Sequence, residues 1–318
     1  MRLLASFVLS LPLFAQNPGW TSEREYANVH VTFEYKLAQW AEAAFVLRTP
    51  SIGRPVQQGI AVFLAHDFHR RPGLYTTGAL AGRQAPLQLL PPSFDQWHKL
   101  DITLNGNQLT VLQDGELLQR ATLPHQFLLP GYLHFADLLH QYEVRNFSVR
   151  ELPDTTTFLK QWKPWRLRDG GSWQTGPDWA TGADGHGIQY AAPLLSNFLF
   201  AAEIKSSNNA NGGIFLRGHP VKERHRGVEV QIYSPLDSVF PTGSIYGIER
   251  SRIASPTEGR WFYLQILVIG RECRVWVDGV EVAHTTQLPE FPAFGQIGLQ
   301  IHMDKTQIEW RRLRALTL

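Results

Sequence analysis

The chain repeats itself, and a fold that must be built twice from 318 residues is held to one small domain plan. "NVHVTFEYK" (Asn28 to Lys36) returns as "NFLFAAEIK" (Asn197 to Lys205), and "AAFVLR", ending at Arg48, returns as "GGIFLR", ending at Arg217. "QGIAVF" returns as "RGVEVQ", "YTTGAL" as "FPTGSI" and "VLQDGELL" as "VWVDGVEV". Trp97 in "FDQWHKLDI" matches Trp261 in "EGRWFYLQI", and "GYLHFADLLHQYEVRNFSV" matches "GQIGLQIHMDKTQIEWRRL". The offset begins at 169 (197 minus 28) and drifts to 164 (261 minus 97), so only small insertions and deletions separate the copies.

Each copy consists of short runs rich in Val, Ile, Phe, Tyr and Trp with alternating polarity, broken at turns such as "NGN", "QDGE", "VDGV" and "NANGG". No long helical period follows the first residues. The pattern predicts an all-β chain of two tandem sandwiches with Greek-key or jelly-roll connections. The copies meet around "ELPDTTTFLKQWKPW", which gives residues 16–152 for the first domain and 153–318 for the second. About forty residues precede Asn197 in the second copy, including "GGSWQTGPDWATGADGHGIQY", against a dozen or so in the first. The first domain is therefore expected to lack an opening hairpin and to have a sheet edge to cover, for which packing of one sandwich on the other is one remedy.

The opening "MRLLASFVLSLPLFAQ" places Arg2 before an apolar run that ends at the small Ala15, the layout of a signal peptide spanning residues 1–15. The run is too short for a stable membrane span, so the expectation is export to a periplasm or the outside, with no membrane span in the mature chain. Thirty Lys and Arg against 28 Asp and Glu, scattered along the chain, give no basic patch for nucleic acid. A lone cysteine, Cys273, excludes an intramolecular disulfide, and its alternation with Val275 and Val277 marks it as a buried small hydrophobe.

Comparing the copies position by position separates scaffold from site. Arg48 and Arg217, Trp97 and Trp261, and the Asp-Gly turns at Asp114 and Asp278 are held in both, and maintaining the fold explains them. By contrast Glu229 stands where the first copy has Ala61, Gln231 where it has Phe63, Tyr246 where it has Ala81, Gln300 where it has Ala136 and His302 where it has Leu138. A strand's side chains alternate between faces, so Glu229 and Gln231 share one face, as do Gln300 and His302. A solvated outer face would be polar in both copies. This one is polar in the second and apolar in the first, as a site kept in one duplicate and abandoned in its twin would be. Arg217 is ambiguous, since an arginine held for packing can also neutralise Glu229.

"GGIFLRG", "GVEVQIYS", "PTGSIYG", "EGRW" and "GQIGLQIH", in that order, resemble the successive motifs of the 3-keto-disaccharide hydrolase domain family, from about Phe158 to Leu318. The first copy resembles that family in its framework, through "AAFVLR", "YTTGAL" and "YEVRNFSV". The resemblance implies concanavalin A-like, laminin-G-like jelly rolls, and exported bacterial proteins that hydrolyse glycosides already oxidised to a ketone at the third carbon of the sugar. The sequence departs from the family pattern around the histidine of the last motif, where Ile301 stands in place of a frequent acidic residue and Met303 in place of the usual glycine.

A 3-keto group acidifies the hydrogen on the neighbouring carbon, so such a glycoside can lose its aglycone by proton abstraction and elimination, then add water. That chemistry asks for a base, a donor at the enolate oxygen and an acid for the leaving group. Glu229 or His302 would be base or acid, Arg217 would stabilise the enolate, and Gln231, Tyr246 and Gln300 would hold saccharide hydroxyls. Ordinary two-carboxylate glycosidase catalysis ranks lower, because only Asp304, two residues after His302, offers Glu229 a partner, and then only if the strand continues there in register instead of turning. No cofactor or metal is expected: "AHDFH" (His66, Asp67, His69) and "HFADLLH" (His134, Asp137, His140) fit no established ligand spacing, although a divalent ion is conceivable there. The loop "VKERHRG" reads as a solvated basic turn that could line the cleft mouth. The alternatives are a carbohydrate-binding module using Trp173, Trp179, Tyr233 and Tyr246 as platforms, or an interaction protein with no sugar site.

Overall fold

A computed structural model describes residues 19–65, 71–139, 141–154, 158–159, 162, 166–191, 193–220, 225–290 and 292–318. The chain divides into two compact units between Thr156 and Thr157. Among the described residues no helix is long and apolar enough to cross a membrane. The signal-peptide stretch, His66, Asp67, His69, His140 and Val221 to Arg224 of the basic turn lie outside the described residues.

The first unit contains strands β1 (Val29–Leu37), β2 (Glu42–Thr49), β3 (Ile60–Ala65), β4 (His98–Asn105), β5 (Gln108–Gln113), β6 (Glu116–Thr122), β7 (Tyr132–Leu139) and β8 (Tyr142–Glu151), with one short helix at Pro55–Gln58. They form a five-stranded sheet ordered β6-β5-β4-β1-β8 and a three-stranded sheet ordered β3-β2-β7, all antiparallel. β1 alternates strictly between buried and half-buried positions, so Val29, Val31 and Phe33 meet Phe45, Val62 and Phe135 of the opposite sheet in the core. β2 is buried almost throughout, because its other face is covered as well. Ala44, Val46, Ala61, Phe63, Ala79, Ala81 and Ala136 form a second apolar cluster there.

Among the described residues no opening hairpin pairs with β7, and the chain just before β1 covers that edge. Thr21 and Tyr26 make isolated bridges to His134 and Gly131, and the Phe135 N–H donates to the Trp20 carbonyl at 2.9 Å. Irregular pairing of this kind satisfies edge groups without a full strand.

The second unit repeats the plan with that hairpin present. Its strands are β9 (Phe158–Leu159), β10 (Arg166–Asp169), β11 (Ser172–Thr175), β12 (Ala180–Tyr190), β13 (Phe198–Ser206), β14 (Asn211–Pro220), β15 (His225–Tyr233), β16 (Trp261–Ile269), β17 (Glu272–Val277), β18 (Val280–Thr285) and β19 (Gln296–Thr317). β19 spans 22 residues and does the work of β7 and β8 together. β12 runs beside both halves, from Gly298 to Trp310, whereas β14 pairs with the first half and β13 with the second, so one strand belongs to both layers. Between the halves Lys305 takes φ 63° and the register with β12 shifts, a bend that lets the strand change sheets. One layer is thus β18-β17-β16-β13-β19 and the other β15-β14-β19-β12, with β10 and β11 both on β12. The all-β, two-sandwich architecture follows in both halves.

The residues held in both copies are scaffold. Asp114 and Asp278 take positive φ in two-residue hairpin turns, and each carboxylate accepts the N–H of a neighbouring strand, Lys99 at 2.8 Å and Tyr263 at 2.9 Å. Arg145 lies 3.9 Å over the ring of Trp97 and pairs with Glu34, and Arg311 lies 3.9 Å over Trp261 and pairs with Glu203. Cys273 is fully buried in the second core, where burial pushes its thiol up to about 12.

Candidate functional site

The outer face of the second unit's β15-β14-β19-β12 layer carries the polar set. Val230, Ile232, Ile214, Leu299 and Ile301 point into the core, which sends the alternate residues of each strand outward. Register arranges those outward residues in rows. Glu229 faces Phe215, which faces Gly298, which faces Tyr190. Gln231 faces Gly213, which faces Gln300, which faces Ile188. Tyr233 faces Asn211, and His302 faces His186.

Glu229 rests over Gly213, where any Cβ would collide with its Oε1, so the bare backbone makes the room its carboxylate uses. No described residue donates to that carboxylate or pairs with it, and burial pushes its pKa up to about 7. Such a carboxyl is half protonated at neutral pH. Beside it the segment Gly243–Tyr246 runs along the edge of β15: the Tyr246 N–H donates to the Glu229 carbonyl at 2.8 Å and the Gln231 N–H to the Ser244 carbonyl at 2.9 Å. Tyr246 is left with 55% of its surface exposed, its ring 5.1 Å from that of Phe240. Gln231 is buried and donates through Nε2 to Asn211 Oδ1 at 2.8 Å, so it is a braced part of the floor. Gln300 is half-exposed in the same row.

His302 is exposed and stands edge-on to His186, ring centres 4.9 Å apart. Partial burial, and then the charge of His186, hold the His302 pKa below the usual imidazole value. His186 lies on the hairpin strand that the first copy lacks, so comparing the copies could not have revealed it. Asn211 and Gly213 were open to the same comparison, which sets them against Glu42 and Ala44.

The family model described as the 3-keto-alpha-glucoside-1,2-lyase-like domain matches residues 15–150 and, a second time, residues 151–315. The chain belongs to this family. Membership ties it to saccharide chemistry, and it takes in the first copy as well as the second. Among solved structures, a candidate glycosyl hydrolase from Parabacteroides distasonis is similar at 15% identity, over 50% of this chain and 90% of that one, with a TM-score of 0.44. The carbohydrate-binding module CBM66 from Bacillus subtilis is similar at 13% identity, over 48% and 95% of the two chains, with a TM-score of 0.35. The VIP36 exoplasmic/lumenal domain is similar at 12% identity, over 50% and 86%, with a TM-score of 0.36. No curated protein matches the chain by sequence.

Within this family member the expected residues do not all converge. Arg217 is a correction. A bulge between Leu216 and His219, with Arg217 at φ 51°, turns its side chain off the outer face. Its Nε donates to the Ser196 carbonyl at 2.9 Å, and it lines a recess with Val228, Val268 and Leu288, away from Glu229. Arg48 has the same φ, 52°, and likewise donates to backbone carbonyls, of Ala27 and Phe127. Both arginines therefore tie their strand to the segment that enters the preceding strand, and Arg217 stabilises no enolate.

His302 is the second correction. It shares a face with Glu229 but lies two strands and four residues away, about 16 Å between backbones at ordinary strand spacing and rise. The two cannot exchange base and acid roles across one bond. Asp304 lies further along the same strand and is exposed, so it is no second carboxylate for Glu229. Of the aromatic platforms, Trp173 is stacked on Trp310 at 5.9 Å and packs against the core, Trp179 is exposed just before β12, and Tyr246 and Tyr233 lie on the edge and strand that hold Glu229. Among the described residues no group of three metal-ligating side chains occurs. In the first unit His134 bonds Thr21 at 2.8 Å.

Proposed function

We propose that the second unit cleaves glycosides of 3-keto sugars by elimination across the first and second carbons, followed by hydration. The observation that carries this reading is the lone Glu229 carboxylate, pushed up to about 7 by burial and seated over a glycine on a face that the first unit packs with alanine. A base of that pKa is matched to a carbon acid made labile by an adjacent ketone, at neutral pH. Glu229 takes the hydrogen from the second carbon, the electron pair passes to the ketone oxygen as an enolate, and the enolate expels the aglycone oxygen from the first carbon. With no other carboxylate beside it among the described residues, the protonated Glu229 returns its proton to that oxygen. Water then adds to the unsaturated ketone. Gln300 and Tyr246 hold hydroxyls of the reacting sugar, while His302, about 16 Å off, and His186, one strand further and about 19 Å off by the same strand geometry, contact the remote part of the substrate. The protein does this after export.

The experiment compares aglycone release from a 3-keto-glucoside and from the unmodified glucoside, and exchange of the second-carbon hydrogen in heavy water. Glu229→Gln abolishes both release and exchange, and Gly213→Ala, whose methyl occupies the carboxylate's seat, lowers kcat/KM at least about tenfold. Equal release from both glucosides, or exchange that persists in Glu229→Gln, would overturn the reading. Binding of glycan with no turnover by the wild type would support a binding module instead.

A further inference from the structure

The exchange of polar for apolar residues between the copies runs in the opposite direction at one place in the first unit. Where the second unit fills the space between its sheets with Ile204, Phe262 and Val277, all buried, the first has Tyr35, His98 and Gln113. The Tyr35 hydroxyl donates to Gln113 Oε1 at 2.8 Å. His98 opens β4 and, like Leu100 and Ile102 after it, points between the sheets. Its Nδ1 lies 2.6 Å from Asp114 Oδ2, and its Nε2 is hydrogen-bonded to Ser93 Oγ. The other oxygen of Asp114 is held by the Lys99 N–H, so the carboxylate is fixed by the backbone before it meets the imidazole. Ser93, His98, Tyr35 and Gln113 line one small recess, open to solvent on one side, whose remaining walls include Leu37, Leu90 and Leu118.

The turn does not need this histidine. In the second unit Asp278 makes the same backbone bond, to Tyr263, and meets Arg260 at the surface, while Phe262 fills the core. An inward histidine between a serine and an anchored aspartate is the arrangement that activates a hydroxyl: the carboxylate holds the Nδ1–H tautomer and leaves Nε2 to accept the serine proton.

We propose that the first unit carries a separate acyl-transfer site, with Ser93 as nucleophile, His98 as its base and Asp114 as the positioning residue, acting on short-chain acyl esters. Ser93 Oγ attacks the ester carbonyl as its proton passes to His98 Nε2. The tetrahedral adduct breaks its bond to the alcohol oxygen, which leaves with that proton, and the acyl group stays on Ser93. Water, deprotonated by His98, then releases the carboxylic acid and restores the serine. Leu37, Leu90 and Leu118 meet the acyl group, and the room between them, little more than a water molecule's, limits it to an acetyl-sized one.

The test treats the full-length protein with a fluorophosphonate and, separately, with p-nitrophenyl acetate. The expected result is one phosphonyl adduct, located on Ser93 by peptide mass spectrometry, and nitrophenol release that Ser93→Ala abolishes. His98→Phe, which installs the residue the second unit carries at this position, slows labelling at least about a hundredfold while the thermal unfolding transition is kept. Ser255→Ala, an exposed serine of the other unit, labels like the wild type. Absence of an adduct on Ser93, or ester hydrolysis that survives Ser93→Ala in a folded protein, overturns the proposal. Neither result touches the proposal for Glu229, which is read with a different substrate.

Discussion

Replacing Glu229 by glutamine stabilises the second unit, and the gain depends on pH. The carboxyl's pKa stands at about 7 in the fold against 4.5 for the free side chain, and burial is the cause. At about 1.36 kcal/mol per unit, the folded state is penalised by about 3 kcal/mol once the group must ionise. The folded protein keeps a proton that the unfolded chain has lost, so stability falls as pH rises from about 4.5 to about 7 and is flat outside that window. Glutamine has no proton to lose, and wild type and variant differ only by what is common to their neutral forms at about pH 4. Thermal unfolding of both proteins at about pH 4 and about pH 8.5 measures this directly. The gap in Tm between variant and wild type should widen by about 6–12 °C at the higher pH, given about 2–4 °C per kcal/mol for a unit of this size. A gap that does not change with pH would show that the carboxylate is not desolvated. A gap that narrows would show that a cation holds it charged, and either result would remove the reason for assigning Glu229 a base's role.

Two further expectations concern the scaffold. Arg217→Met lowers Tm, because the Ser196 carbonyl loses its donor, but leaves the pH profile of keto-glucoside cleavage in place; a shifted profile would return Arg217 to the site. Arg311→Met leaves Glu203, which is 1% exposed, short of its main partner and destabilises the second unit by about 3 kcal/mol in urea titration. The matching Arg145→Met destabilises the first unit by less than about 1 kcal/mol, since both members of its pair with Glu34 remain partly in water, and equal effects in the two units would refute the burial argument.

The sandwiches were legible in the sequence because alternation, Asp-Gly turns and a second copy all report the same local plan. Glu229 stood out for the same reason: one residue in one strand, polar where its counterpart is alanine. Reading stopped where parity fails. Counting by twos puts Arg217 on the face of Phe215, but one bulged residue reverses every later side chain, and nothing in "GGIFLRG" announces the bulge. The separation of Glu229 from His302 is likewise a property of strand order and register, which no single strand contains. At Asp304 the sequence allowed strand or turn, whereas β19 continues through it and bends to reach the second sheet.

A sandwich offers two places where polar groups can gather without breaking the core: the outer face of the shorter layer and the mouth between the layers. The second unit uses the first place and seals the second with Ile204, Phe262 and Val277; the first unit seals the outer face with Ala61, Phe63 and their neighbours and leaves Tyr35, His98 and Gln113 at the mouth. Sealing the outer face removes a buried carboxylate that costs about 3 kcal/mol above neutral pH, and sealing the mouth replaces hydrogen-bonded polar side chains by apolar ones. Duplication lets each copy keep one polar cluster and fill the other place with apolar side chains.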